Sequence, residues 1–486
     1  MIFNSFVFLI FLVIFLLGYW SFDRKNRLIL IFIASLLFYG FWRVEFLFLL
    51  LFTIFVNYLS SIFITIQKSQ KKKKIILIIC LFFNFSLLVF FKYYYFITDN
   101  FNYLFKFFRF EINLPILNII LPIGISFYTF QSVSYIIDVF SKKIKPEKDF
   151  ILFCNYIIFF PQLVAGPILR AKEVIFQLSQ KPVFISENIY LGIKRILFGF
   201  FLKVVIADNL SPIVEKSFLV EAKYLSAIDV FTMSYLFGFQ IYFDFSAYSH
   251  IALGLALLMN VRFPENFNYP YHSITPKEFW TRWHITLSSW TRDYIYLPLL
   301  GVKNLELSSG GFKKFIYRKN ISFKYIYALV ITWLLMGLWH GANWKFLLWG
   351  LIHSLIIIFF RFFDKFLKIH DNKILNFISW IFTLQFIMLS WVPFRANNFL
   401  ESIDIWSRLF DFHNWFNMSF TINTYLVAFI ITIIYLILPY SYNFLKKFFL
   451  TQIYIKKCVE IFSLFIIISL ILIYFTNINQ FIYFQF

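Results

Sequence analysis

Apolar runs of about twenty residues, each long enough to cross a hydrocarbon layer of about 30 Å, recur from IFNSFVFLIFLVIFLLGYW (2–20) to IFSLFIIISLILIYF (461–475). They leave no room for a soluble domain of ordinary size. With 61% hydrophobic residues and a mean hydropathy of +0.76 over 486 residues, the chain cannot clothe itself in the polar surface that a water-soluble globule needs. Backbone polar groups in lipid must bond within their own segment, so the fold class is an all-α polytopic membrane protein, with roughly eleven to thirteen membrane segments, some re-entrant. The first run lacks a basic leading region and a small-residue cleavage site, and reads as a retained membrane helix. The 74 phenylalanines are spread over every segment beside Ile, Lys and Asn, as AT-rich coding would produce, and mark no particular pathway.

A net charge of +21 would suit nucleic acid if it formed one surface. Instead the basic clusters DRKNR (23–27), QKSQKKKK (67–74), KKIKPEK (142–148) and KKFIYRKN (313–320) sit between apolar runs, where the positive-inside rule makes them cytoplasmic anchors. No nucleic-acid partner is expected, and the N-terminus is expected outside. Cys80, Cys154 and Cys458 are far apart and form no CxxC pair, which argues against a disulfide framework and a metal site.

One membrane domain, 1–486, is expected, in three stretches. Residues 1–112 read as scaffold helices with little polarity inside the membrane. Residues 113–400 read as the working core, because Pro, Gly, Gln, Asp and Arg interrupt runs such as LPIGISFYTFQSVSYIID and FFPQLVAGPILR. Broken backbone at membrane depth is tolerated only where it is buried in protein or lines a wet cavity. Residues 401–486 return to plain C-terminal helices.

MGLWHGANWKFLLWGLIHS (336–354) carries two histidines in an apolar, aromatic run. On one continuous helix, His340 and His353 would stand about 20 Å apart and face different ways, so each is judged alone. Ionisable groups inside membranes are costly and mark functional sites, with a histidine bonded to backbone as the structural alternative.

PENFNYPYHSITPKEFWTRWHITLSSWTRDYIYLPLLG (264–301) is the second candidate. Its prolines leave room for one helix of about twenty residues. On it Trp280, Trp283, Leu287, Trp290 and Tyr294 form an aromatic stripe, opposite Arg282, Thr286, Ser289 and Asp293. This is an amphipathic, interfacial or re-entrant helix, with His284 at the margin of its buried face. A third set lies in QIYFDFSAYSH (240–250). There Asp244 is placed to bond Tyr248 or to pair with an arginine such as Arg262, Arg282 or Arg292, most simply as a structural ion pair. The chain has no P-loop, GxSxG elbow, HExxH or dinucleotide fingerprint.

RWHITLSSWTRDYIYLPL (282–299) and MGLWHGANWKFLLWGLIHS resemble the two signature regions of the membrane-bound O-acyltransferase (MBOAT) family. LPIGISFYTFQSVSYIIDVF (121–140), FFPQLVAGPILR (159–170), ADNL (207–210), FDFSAYSHIALGLALLMNVRFPENFNYPY (243–271) and SWVPFRANNF (390–399) are similar to further family segments in the same order. The likeness is to the bacterial branch that includes the membrane components of alginate and peptidoglycan O-acetylation, with lipoteichoic-acid D-alanylation a more distant relative. It implies an MBOAT-type helical bundle around a central funnel, with His340 as the family's histidine and His284 as its second important one. It also implies a thioester donor, acetyl-CoA or an acyl carrier protein, with no bound cofactor. A periplasmic partner of the SGNH type and an envelope polysaccharide acceptor, peptidoglycan first and alginate second, complete the expectation, with the chain multi-pass in the cell inner membrane. At Ala247 and His250 the chain departs from the family's Gly-Tyr-Ser-Asp, so no acidic role passes to position 250.

A thioester is already activated, so an acceptor hydroxyl needs only a positioned base, and neutral imidazole serves near pH 7. His340 is the expected base. Asn343 or a nearby indole N–H is the candidate donor to the developing oxyanion, with a helix cap as the structural reading of Asn343. Trp283, Arg282, Asp244, Arg292 and Asp293 are expected to support the site. A transporter with broken helices and a non-catalytic scaffold remain as alternatives of other classes.

Overall fold

The computed structural model describes residues 1–302, 322–367, 372–448, 453–475 and 481–482, and every regular element among them is helical. The basic cluster at 313–320 lies outside the described residues. Among the described residues, eight helices are long and apolar enough to cross a membrane, from Glu45–Ile66 to Lys457–Tyr474, and Phe6–Ser21 is a shorter apolar helix. The chain divides into two compact units, Met1–Gly199 with Tyr248–Pro264, and Phe200–Ala247 with Glu265–Phe486.

In the first unit the scaffold stretch is less plain than its sequence suggests. Asn57 and Asn84, both fully buried, exchange carboxamide hydrogen bonds of 3.0 and 3.1 Å between helices Glu45–Ile66 and Gln70–Leu88. Each supplies the donor and the acceptor that the other needs in an interior without water. Arg27, from the basic cluster at 23–27, is buried and donates to the Gln180 carbonyl at 2.7 Å. The Ile125–Phe140 helix, the most polar-interrupted of the unit, is buried along nearly its whole length. It starts at Gly124, whose positive φ of 75° and closeness to the Leu163 carbonyl exclude a side chain.

The second unit holds both signature stretches. The expected single helix across 278–296 is broken into Pro276–Arg282 and Ile285–Thr291, followed by a π-helical turn at Arg292–Tyr296. Trp283 is extended and His284 is left-handed, with φ 41° and ψ 54°. The cause lies in the preceding loop: Asn268 N–H donates to Arg282 O at 2.9 Å and Ile285 N–H donates to Asn266 O at 3.0 Å. Those bonds take backbone groups that a continuous helix would have used itself. The aromatic stripe nevertheless faces inward, with Trp280, Trp283, Leu287 and Trp290 all buried.

Candidate functional site

The Phe323–His340 helix ends on its histidine, and the next helix, Trp344–Leu367, begins after a turn of three residues. Positions 340 and 353 therefore belong to the two arms of a hairpin rather than to one rod. The arms approach so closely that a Cβ on Gly337 would lie 2.1 Å from Phe346 O, and one on Gly350 would lie 2.2 Å from Trp333 O. Asn343 closes the turn as a cap, its side-chain oxygen accepting the Lys345 N–H at 3.1 Å, which is the structural reading of that residue.

His340 is buried among rings: Trp339 at 4.8 Å, Phe394 at 4.9 Å and Trp349 at 5.0 Å between centroids. The hairpin also brings His353 to Trp349, at 4.5 Å, so the two histidines flank one indole, closer than a continuous helix would allow. His353 is satisfied on both nitrogens. Its Nδ1 accepts from Trp280 Nε1–H at 3.3 Å, and its Nε2–H donates to Ser390 Oγ at 3.1 Å, whose own hydroxyl donates to Ile387 O. That neutral, doubly bonded imidazole has a structural part to play.

His284 caps the Ile285–Thr291 helix in its left-handed conformation, which is sparsely populated for a residue with a side chain. Its ring packs 4.7 Å from Phe245 and 6.1 Å from Trp339, so Trp339 lies beside both His284 and His340. Nδ1 is 3.1 Å from Asn266 Oδ1, an oxygen that also accepts Thr286 Oγ1–H at 2.8 Å and Thr286 N–H at 3.3 Å. An atom taking two donors is the carbonyl end of the amide, so Nδ1 carries the proton and Nε2 carries the lone pair. Burial pushes this imidazole below its ordinary pKa, which keeps it neutral.

A cavity of about 420 Å³ runs beside these residues. Lys277, Arg292, Lys324 and Arg361 give it a cationic rim, while Trp280, Trp333 and Met336 form its apolar depth. Its lining follows the Phe323–His340 helix from Lys324 to Met336, about 18 Å at 1.5 Å per residue, and His340 lies one turn further on. The Arg361 guanidinium rests 4.0 Å over the Tyr325 ring, and burial with Arg361 nearby lowers the Lys277 ammonium pKa.

The charged residues nominated from sequence arrange themselves differently from expectation. Asp244 pairs with Lys203 at 2.6 Å and with no arginine among the described residues. Arg282 is taken by Glu278 at 2.7 Å, one helical turn away, and Arg292 by its neighbour Asp293 at 2.8 Å. Lys203 also reaches Asp208 at 2.9 Å, because the π-helical turn Phe201–Ala207 aligns residues five apart. The second oxygen of Asp244 accepts the N–H of Ile482 at 2.7 Å, and the Phe481 ring lies 4.6 Å from the Lys203 ammonium. Lys203 carried a signal in the sequence, a lone cation within FGFFLKVVIA; Asn266 carried none. Trp283 stacks on Phe279 at 5.5 Å and contacts Trp391 at 4.9 Å, a packing role that holds the break before His284. No cluster of metal-ligating residues occurs among the described residues.

A helical membrane protein with buried imidazoles beside a cation-rimmed cavity has the build of an integral-membrane transferase. The model of the membrane-bound O-acyltransferase family, MBOAT, matches residues 139–396, and the chain belongs to that family. It is 34% identical over 422 residues to the "Probable alginate O-acetylase AlgI" of Azotobacter vinelandii, covering 85% of this chain and 79% of the relative. It is 33% identical over 396 residues to the "Peptidoglycan O-acetyltransferase" of Helicobacter pylori, with 76% and 71% covered. To the "Teichoic acid D-alanyltransferase" of Bacillus subtilis it is 29% identical over 294 residues, with 58% and 70% covered. The chain is thus a multi-pass membrane enzyme of the O-acyltransferase class.

Proposed function

We propose that this enzyme resides in the inner membrane and moves an acetyl group from a cytoplasmic thioester to hydroxyls of an envelope polysaccharide. The observation that carries the reading is a cavity lined by four cations whose lining reaches Met336, one helical turn before His340. Phosphates on a donor such as acetyl-CoA, or on the arm of an acyl carrier protein, suit Lys277, Lys324 and Arg361, while a slender thioester arm suits the apolar depth. His340 is the base: as the acceptor oxygen bonds to the carbonyl carbon, its proton passes to the imidazole, and the departing thiolate takes that proton away. The indole walls exclude water that would hydrolyse the thioester. A periplasmic SGNH-type partner that completes delivery belongs to the same reading. Relatives of nearly equal identity are named for alginate and for peptidoglycan; peptidoglycan is the acceptor proposed, as the more general polymer of bacterial envelopes.

The test follows labelled acetyl from acetyl-CoA into base-labile esters of the envelope polymer, per unit of protein in membrane vesicles. His340→Ala is expected to insert at normal abundance and to lose transfer by about 10²- to 10⁴-fold, the range for a missing general base. His340→Gln is expected to be no better, since an amide takes no proton. Near-normal transfer by His340→Gln would move the base elsewhere. Label recovered on alginate instead of peptidoglycan would change the acceptor alone.

A further inference from the structure

The indole N–H of Trp349 is buried at 1% exposure, and it has no hydrogen-bond acceptor among the described residues. Buried tryptophans normally find an acceptor, because a donor left unmet gives up its hydration for nothing in return. Surrounding rings do not make good the loss, because an N–H over a ring face is a second-order contact. The neighbourhood of this donor gives it a use. Trp349 lies 5.6 Å from Trp280 and 5.9 Å from Trp333, both of which line the cavity, and 5.0 Å from His340. It therefore touches both the cavity wall and the base. The hairpin fixes it there, since the next residue, Gly350, is packed against the Trp333 carbonyl and allows neither arm to slide.

We propose that Trp349 Nε1–H is the oxyanion donor of the transfer step, binding the thioester carbonyl oxygen beside His340. This rests on the reading of His340 as the base. In the step, the acceptor oxygen bonds to the carbonyl carbon while its proton goes to His340, and the carbonyl π pair moves onto oxygen, where it accepts from Trp349. Re-formation of the carbonyl breaks the carbon–sulfur bond, and the thiolate leaves with the proton held by His340.

The decisive variant places benzothienylalanine at position 349 by genetic-code expansion, which keeps the bicyclic shape and replaces N–H by sulfur; Trp349→Phe is its natural companion. Vesicles are assayed with acetyl-CoA over a concentration series, alongside His340→Gln. The expected result is a kcat lowered by about 10²- to 10³-fold, as for loss of one oxyanion donor, with KM for acetyl-CoA unchanged within about twofold. A packing role would instead lower abundance in Trp349→Phe and spare the isostere. If the wild type transfers acetyl in a His340-dependent way and the isostere keeps its kcat, this inference falls alone. If transfer is independent of His340, the base assignment and this inference fall together.

Discussion

His284 donates its Nδ1 proton to Asn266 Oδ1 across 3.1 Å, so a loop oxygen eighteen residues upstream sets which imidazole nitrogen keeps the lone pair. Asn266→Ala removes that instruction while leaving the imidazole in place. Transfer is expected to fall at least tenfold, up to the roughly 10⁴-fold loss known when a catalytic imidazole is held in the wrong tautomer. Asn266→Asp, which still accepts, is expected to retain more activity than Asn266→Ala. Equal, near-normal rates in both would show that the tautomer of His284 has no bearing on the reaction.

The buried His284 also links stability to pH. It lies outside the eight candidate spans, and burial lowers its pKa below the ordinary 6.5, so the folded state binds fewer protons than the unfolded state at mildly acid pH. The histidine therefore opposes unfolding least below pH 6.5: stability is whole above that value and declines as pH falls under it, by at most about 1.4 kcal/mol per unit. His284→Asn, which tolerates the left-handed backbone and does not titrate, is expected to flatten the decline. Thermal unfolding of purified protein between pH 5 and 8 measures it, and identical slopes for both proteins would refute the linkage.

Lys203 serves two carboxylates, Asp244 and Asp208, and this makes its loss unequal to theirs. Lys203→Met strands both, and is expected to cost about 3–5 kcal/mol, the range for breaking a buried pair. Asp244→Asn leaves the Lys203–Asp208 pair intact and is expected to cost clearly less. Thermal stability in one detergent ranks the two variants, and the opposite order would mean that the triad does not act as a unit.

The hairpin behind His340 has no space for one methyl group. Gly350→Ala and Gly337→Ala set a Cβ against backbone oxygen, which cannot step aside, and are expected to lower membrane abundance sharply. Gly18→Ala meets side chains alone, the nearest the tip of Leu30 at 3.0 Å, and is the tolerated comparison. Fluorescent-fusion levels in membranes give the readout; normal levels of Gly350→Ala would count against the close approach.

How far the sequence could be read depended on how far apart the partners lie. The tryptophan stripe and the His340 motif are contiguous, so spacing alone brings them to the interior, where the structure has them. The partner of Asp244 is 41 residues away on a separate helix, and two of the arginines that looked available, Arg282 and Arg292, had nearer carboxylates. The backbone of His284 was hidden for another reason. A helical wheel assumes one continuous rod, whereas here a loop of Asn266–Asn268 competes for the same peptide groups and wins. Likewise, nothing local in WHGAN says that the chain reverses after three residues, because the reversal depends on glycines in both arms meeting carbonyls of the other.

The indoles crowded around the two histidines make the site its own light source. Six of the thirteen tryptophans, Trp280, Trp283, Trp333, Trp339, Trp349 and Trp391, lie in one chain of ring contacts that takes in His284, His340 and His353. Excitation absorbed by any of them passes readily among neighbours a few ångströms apart, so emission samples the cluster as a whole. A thioester carbonyl or a protonated imidazole arriving there quenches that shared emission, and occupancy of the interior can be followed in unlabelled protein by ultraviolet fluorescence alone.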